Sequence, residues 1–169
     1  GTQTIYGPHA NPETSYMSAS GWVPEQSSHS VSAELCATCH QLTWEGAEQP
    51  FYDTYGEWAA SDYAAAGVSC STCHMPPSSG VVTASRSVTQ ADHRFDAARG
   101  RGLSVLARFQ PEAAVRGETF EAELTVQNTG AGHAVPTGSP FVSLELLVQV
   151  VDREGKVVGD PWTHRFGRE

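Results

Sequence analysis

The chain has 169 residues, of which 39% are hydrophobic and 17% are charged, and this balance is typical of a soluble globular protein with one ordinary domain or two small ones. Its formal net charge of −9 argues against nucleic acid and anionic membranes as partners and favours a partner with a basic docking face. No apolar run is long enough for a membrane span, and none resembles a signal peptide. We therefore expect no direct insertion into a membrane.

The first 30 residues are predicted to be extended coil that lies over the rest of the chain. Pro8, Pro12 and a serine-rich run from Ser18 to Ser30 interrupt any apolar periodicity. The segment nevertheless contains aromatic side chains that could hold it against another surface.

All four cysteines lie in two copies of one pattern, Cys36-Ala37-Thr38-Cys39-His40 and Cys70-Ser71-Thr72-Cys73-His74. On a short helical turn, Cys-x-x-Cys-His presents two thiols to the vinyl groups of one haem and a histidine to its iron. The sequence therefore predicts two haem c groups, attached through Cys36 and Cys39 and through Cys70 and Cys73. His40 and His74 are the predicted proximal ligands. Attachment of this type implies an exported protein, periplasmic or extracellular.

Three other interpretations use the same cysteines. Zinc ribbons usually place their ligand pairs closer together than Cys39 and Cys70, and zinc does not require both histidines. A thioredoxin-like redox pair explains one Cys-x-x-Cys but not two copies. Disulfides within a motif are disfavoured, because cysteines three residues apart on a helix are poorly placed to bridge. Haem attachment explains more of the pattern than any of these.

Helical segments are predicted around and between the two motifs. Ser32 is a suitable N-cap for a helix that carries the first motif, with Glu34 in its first turn. A longer helix is predicted from about Tyr52 to Ala66, with Gly67 ending it. After the second motif, the prolines at 76–77 predict the end of the turn, and a loop is expected from Ser78 onwards.

From Leu103 onwards the sequence alternates between apolar and polar residues, as in half-buried strands. Strands are predicted over Leu103–Phe109, Thr119–Val126 and Phe141–Val151, with a turn leading into a fourth at Val157. The predicted fold class is α+β: a mostly coil and helical dihaem domain (1–100), then a partial immunoglobulin-like antiparallel β-sandwich (101–169). The second domain is expected to be incomplete, since the sandwich needs about seven strands and exposed strand edges are usually covered.

Five further histidines are candidates for the second axial position on each iron. His93 lies in a His-x-Phe context, and His133 lies in a glycine-flanked turn that would let the backbone approach a flat ring closely. His29 lies just upstream of the first motif. These three are favoured over His9 and His164. Because the candidates outnumber the two vacancies, one of them could serve a haem on another chain.

Five segments together resemble the multihaem cytochrome c family related to cytochrome c554: Ser32–His40, Glu57–Cys70, Cys73–Pro76, His93–Phe95 and Gly132–Gly138. The similarity covers roughly residues 30 to 160, and the combination is more specific than any single motif. It implies mostly bis-histidine haems, electron transfer rather than catalysis, and a β-domain after the haem segment. Many members carry more than two haems, whereas this chain has two motifs.

Three functions remain open at this point. The first is an electron-transfer cytochrome that works with other cytochromes or redox subunits in a larger complex. A multihaem reductase of nitrogen or sulfur oxyanions is the second, but it would need a basic pocket, and residues 1–90 contain only Arg86 and no lysine. A structural, haem-bearing subunit of a respiratory or photosynthetic complex or a cytochrome filament is the third.

Overall fold

The computed structural model describes residues 3–10, 14–83, 86–92, 102–111 and 117–167, and the structural statements that follow concern these residues. The elements in chain order are β1 (Gln3–Gly7), α1 (Thr14–Ala19), β2 (Trp22–Gln26), α2 (Ala33–His40), α3 (Thr54–Ala59), α4 (Asp62–Ala65), α5 (Cys70–His74), β3 (Pro77–Thr83), β4 (Arg86–Ala91), β5 (Leu103–Gln110), β6 (Glu121–Asn128), β7 (Leu144–Val151) and β8 (Val157–Phe166).

The N-terminal segment contains regular structure, so the prediction of extended coil was wrong. Strands β1 and β2 pair in parallel, from Gln3 opposite Trp22 to Gly7 opposite Gln26, and α1 lies between them in the chain. Most side chains of both strands are exposed. Because neither face is buried, the pair does not produce the alternation by which strands are recognised in a sequence.

The predicted helix from Tyr52 to Ala66 forms as two shorter helices, α3 and α4. The break falls at Ser61, whose hydroxyl oxygen accepts a hydrogen bond from the backbone N–H of Ala64 at 3.4 Å and so caps α4. Gly67 has a φ of +72° and ends α4, as predicted. The N–H groups of Gly67 and Val68 bond back to the carbonyls of Ala64 and Tyr63, as in a Schellman motif.

The segment after α5 forms a hairpin where a loop was predicted. Strands β3 and β4 pair antiparallel, with Pro77 opposite Ala91 and Gly80 opposite Val88. The many serines and threonines in these strands removed the apolar signal, although backbone pairing does not require apolar side chains.

The four strands predicted after residue 101 are present, and β8 is much longer than the two residues foreseen. Strands β5 and β6 form one antiparallel hairpin, and β7 and β8 form another. The apolar positions of β5 and β6 meet on one face, in the cross-strand pairs Val105–Val126, Ala107–Leu124 and Phe109–Ala122. The strands of the described residues make four two-stranded sheets, so the fold is α+β with small sheets. No helix in these ranges is long and apolar enough to cross a membrane.

Little of the described chain is buried. Ala33, at 5% exposure, is the one buried hydrophobic residue within the described ranges. The accessible surface is 13034 Å², compared with roughly 8,000 Å² expected for a compact monomer of this mass. Large apolar side chains that are more than half exposed occur in several sheets and include Tyr6, Val81, Leu106, Leu147 and Trp162. Apolar surface of this extent is typical of proteins that bury it against a cofactor or a partner.

Candidate haem-binding site

The two cysteine motifs lie on helices that pack against each other. The first occupies the end of α2 and the second is α5 itself, and these two helices are in contact. In each helix the cysteines are three residues apart, so both thiols lie on one side of the turn, as attachment to a single porphyrin requires. His40 and His74 are the last residues of their helices and are exposed.

The first cysteines of the two motifs are neighbours. The pKa of the Cys70 thiol is raised to about 11, first by burial and then by charge repulsion from, and a hydrogen bond with, the adjacent Cys36. Cys36 and Cys70 are half-buried, whereas Cys39 and Cys73 are exposed. The fold therefore brings the first cysteine of each motif to the same place.

His133 lies next to His74. Their ring centroids are 5.9 Å apart, and the ring planes are inclined by 24°. Metal–imidazole bonds are about 2 Å long, so two imidazoles on opposite sides of one metal ion have ring centres roughly 6 Å apart. The separation therefore fits two imidazoles that bind one metal ion between them.

The hydrogen bonding of His133 suits a metal ligand. Its Nδ1 lies 2.8 Å from the carbonyl oxygen of Ala134, which can only accept, so Nδ1 carries the proton. In a neutral ring this places the lone pair on Nε2. Histidines that ligate metals usually donate their other ring N–H to a backbone carbonyl or carboxylate in this way, which fixes the tautomer and the ring orientation.

The loop that carries His133 is held by Asn128. The side-chain amide of Asn128 donates to the carbonyl of His133 at 2.8 Å, and its side-chain oxygen accepts from the backbone N–H of Ala131 at 2.9 Å. One side chain at the end of β6 therefore braces both sides of the Ala131–His133 turn.

The same loop docks onto α3 and α4. A carboxylate oxygen of Glu57 accepts from the backbone N–H of Ala134 at 3.1 Å and from the hydroxyl of Thr137 at 2.5 Å. A Cβ at Gly132 would lie 3.1 Å from the Cβ of Tyr63, so glycine is what lets this turn approach α4 so closely. The β-rich part of the chain and the haem-motif segment meet through this loop.

The other candidate histidines occupy different places. His29 lies in a short 3-10 turn (Ser28–Val31) before α2. The pKa of Glu34 is lowered mainly by a hydrogen bond from Ser32, then by a backbone hydrogen bond, and least by the charge of His29. His9 lines a small apolar pocket with Ile5 and Met17.

His164 lies on β8 between Trp162 and Phe166, with ring centroids 5.7 and 4.6 Å away. His93 lies outside the described residues. The structure thus brings together His74 and His133 but shows no second histidine beside His40 within the described part of the chain.

Residues 36–40, 70–74 and 133 together fit two covalently bound haems. The helical turns present paired thiols, and His133 adds an imidazole with its Nε2 lone pair available. A stiff turn from Asn128 to Gly132 was expected, but the side-chain hydrogen bonds of Asn128, Glu57 and Thr137 that hold the loop were not predicted. The role of Asn128 could have been predicted from the sequence, since Asn before Thr-Gly is typical of a turn braced by the Asn side chain. The role of Glu57 could not, because a carboxylate on a helix surface normally faces solvent.

Within the described ranges, no three histidine, cysteine, aspartate or glutamate side chains converge as they would around a bare metal ion. Comparison with protein-family models, with curated proteins and with solved structures found no match to this chain.

Proposed function

We propose that this chain is an electron-transfer cytochrome of the multihaem class, with two covalently attached haem c groups, both bis-histidine ligated. The observation that carries the proposal is the position of His133 beside His74, with its Nδ1 bonded to a backbone carbonyl. Two axial imidazoles leave an iron with no open position for a substrate, and such an iron is suited to electron transfer.

Each group is assigned its protein ligands. Cys70 and Cys73 would hold one haem, and His74 and His133 would bind its iron. Cys36 and Cys39 would hold the other haem, and His40 would bind its iron together with His29 or His93. When bound, haem supplies one-electron redox chemistry through its iron.

The chain's own residues position the ligands of the two haems and keep the two groups close together. The adjacency of Cys36 and Cys70 supports a short distance between the two groups, because one attachment point of each lies beside the other. The backbone carbonyl of Ala134 keeps the proton of His133 on Nδ1 and leaves Nε2 for the metal. The half-buried Tyr55 and Trp58 of α3, with ring centroids 5.5 Å apart, supply apolar surface in the same segment.

The extent of exposed apolar surface supports a role inside a larger redox assembly. The hairpins β5–β6 and β7–β8 are proposed to be parts of an immunoglobulin-like sandwich. Apolar side chains exposed on them, such as Phe109 and Trp162 at 48% and 53%, suit burial against another subunit. Other cytochromes or redox subunits outside the cytoplasm are the proposed partners. A haem-bearing structural subunit is the second candidate that this surface favours.

The test is the haem content and spin state of the protein produced in a bacterium that attaches haem c. The alkaline pyridine spectrum should give two haems per chain, and the ferric protein should be low-spin and should not bind nitrite or cyanide rapidly. A zinc-containing, haem-free protein would contradict the proposal. A high-spin haem that binds nitrite rapidly would favour the reductase instead.

A further inference from the structure

Glu57 contacts Ala134, the residue that follows His133. Oε2 of Glu57 accepts a hydrogen bond from the backbone N–H of Ala134 at 3.1 Å, and the carbonyl oxygen of Ala134 lies 2.8 Å from Nδ1 of His133. Both polar groups of the Ala134 backbone are therefore used, one to dock the loop on α3 and the other to orient the imidazole. Movement of Ala134 would misplace the imidazole.

A second contact makes this docking more rigid. The hydroxyl of Thr137 donates to the same Oε2 at 2.5 Å and lies 2.9 Å from the hydroxyl of Thr54, one turn before Glu57 on α3. Hydrogen bonds to an ionised carboxylate are shorter and stronger than those between neutral groups. Glu57 and Thr137 are half-buried, so these bonds are partly shielded from water.

We propose that Glu57 is a positioning residue for the axial ligand His133: it holds the 134–137 segment against α3 so that the His133 ring stays beside His74. The inference rests on the proposed function and extends it. In this view Glu57, which lies outside both Cys-x-x-Cys-His motifs, controls the coordination of one haem. Removal of the carboxylate frees the loop and weakens coordination by His133, while both thioether pairs and both proximal histidines remain.

The test uses the purified haem-containing protein and reads the spin state of the ferric form by electron paramagnetic resonance and visible absorption. In E57A, one of the two haems should become partly high-spin, so the high-spin signal cannot exceed half of the total haem, and added imidazole should restore the low-spin spectrum. In E57Q, an acceptor oxygen remains, and most of that haem should stay low-spin.

E48A is the matched control. Glu48 is an exposed glutamate of the same segment, so its substitution removes the same charge without touching the loop, and its spectrum should match the wild type.

Two outcomes overturn the inference alone: an E57A spectrum identical to that of the wild type, or equal loss of low-spin signal from both haems, which indicates general unfolding. If E57A does not accumulate, T137V removes the second hydrogen bond to Glu57 and should give a smaller high-spin signal confined to one haem. A T137V spectrum like that of the wild type then overturns the inference. A wild-type protein without low-spin haem overturns the proposed function as well, so the two failures are distinguishable.

Discussion

The imidazole rings of His74 and His133 lie side by side, with centroids 5.9 Å apart and planes inclined by 24°. One ring belongs to a Cys-x-x-Cys-His helix, and the other to a loop that follows a strand of the β-rich part. Under the proposed function, coordination of one haem therefore depends on how these two parts of the chain are docked.

Substitution of His133 by alanine is expected to leave both haems covalently attached and to convert one iron to a high-spin or water-ligated form. Absorption and electron paramagnetic resonance of the ferric protein measure this change. Substitution by methionine should raise the potential of that haem, because methionine/histidine ligation favours the reduced iron relative to paired histidines. His164→Ala is the control, because His164 stacks on Trp162 instead. An unchanged low-spin spectrum in His133→Ala would move the assignment to another histidine.

Substitution of Gly132 by alanine should destabilise the docking of the His133 loop. The added Cβ would lie 3.1 Å from the Cβ of Tyr63, so α4 or the loop must shift. Overpacking of this kind typically costs about 1–3 kcal/mol. Chemical denaturation measures the free energy of unfolding.

Gly7→Ala is the comparison, because a Cβ there meets no atom within 4 Å, and its effect should stay within about 0.5 kcal/mol. Equal effects of the two substitutions would show that the approach of Gly132 to Tyr63 does not limit stability.

Trp58 links α3 to the segment that leads into the second motif. Its indole Nε1–H donates to the carbonyl of Val68 at 3.0 Å, and the residue is half-buried. Trp58→Phe removes this donor and should cost about 0.5–1.5 kcal/mol of unfolding free energy. Trp44 is 59% exposed, so Trp44→Phe should have a smaller effect. A loss at Trp44 as large as that at Trp58 would contradict the role of the hydrogen bond.

The structure shows which parts of the fold follow from local sequence. The strands at Leu103 and Glu121 were predicted from apolar segments with a period of two, in which Ala122, Leu124 and Val126 share one face. The end of α4 was predicted because Gly67 alone can adopt the left-handed conformation there without strain. These features depend on residues that are close in the chain, so they can be predicted from the sequence.

The features that were missed either lack an apolar pattern or depend on contacts between distant segments. The β3–β4 hairpin is held by backbone pairing of polar residues such as Ser79 and Thr89, which produce no apolar period. The Glu57–Ala134 contact joins a helix to a distant loop. No local pattern specifies which strand pairs with which, or that Glu57 faces a loop instead of solvent.

Cys70 provides a pH-dependent prediction for the chain before haem attachment. Its pKa is raised from 9.0 to about 11 by burial and by Cys36, so the folded thiol stays protonated at pH values where an unfolded one ionises. Because the unfolded chain loses this proton first, the thiol's contribution to stability is complete below about pH 9 and is lost as the pH rises towards about 11.

Alkylation with iodoacetamide at mildly alkaline pH, followed by peptide mass spectrometry, should show Cys70 reacting more slowly than the exposed Cys73. Equal alkylation rates for Cys70 and Cys73 would show that the fold does not protect the Cys70 thiol from the reagent.

The central claim, two haems attached through the two motifs, is tested most directly by mass spectrometry of the intact protein and of its proteolytic peptides. The intact mass should exceed that of the polypeptide by two haem groups. One peptide should carry a haem on Cys36 and Cys39, and another should carry a haem on Cys70 and Cys73. Unmodified cysteines, or a disulfide between the neighbouring Cys36 and Cys70 in a haem-free chain, would contradict it.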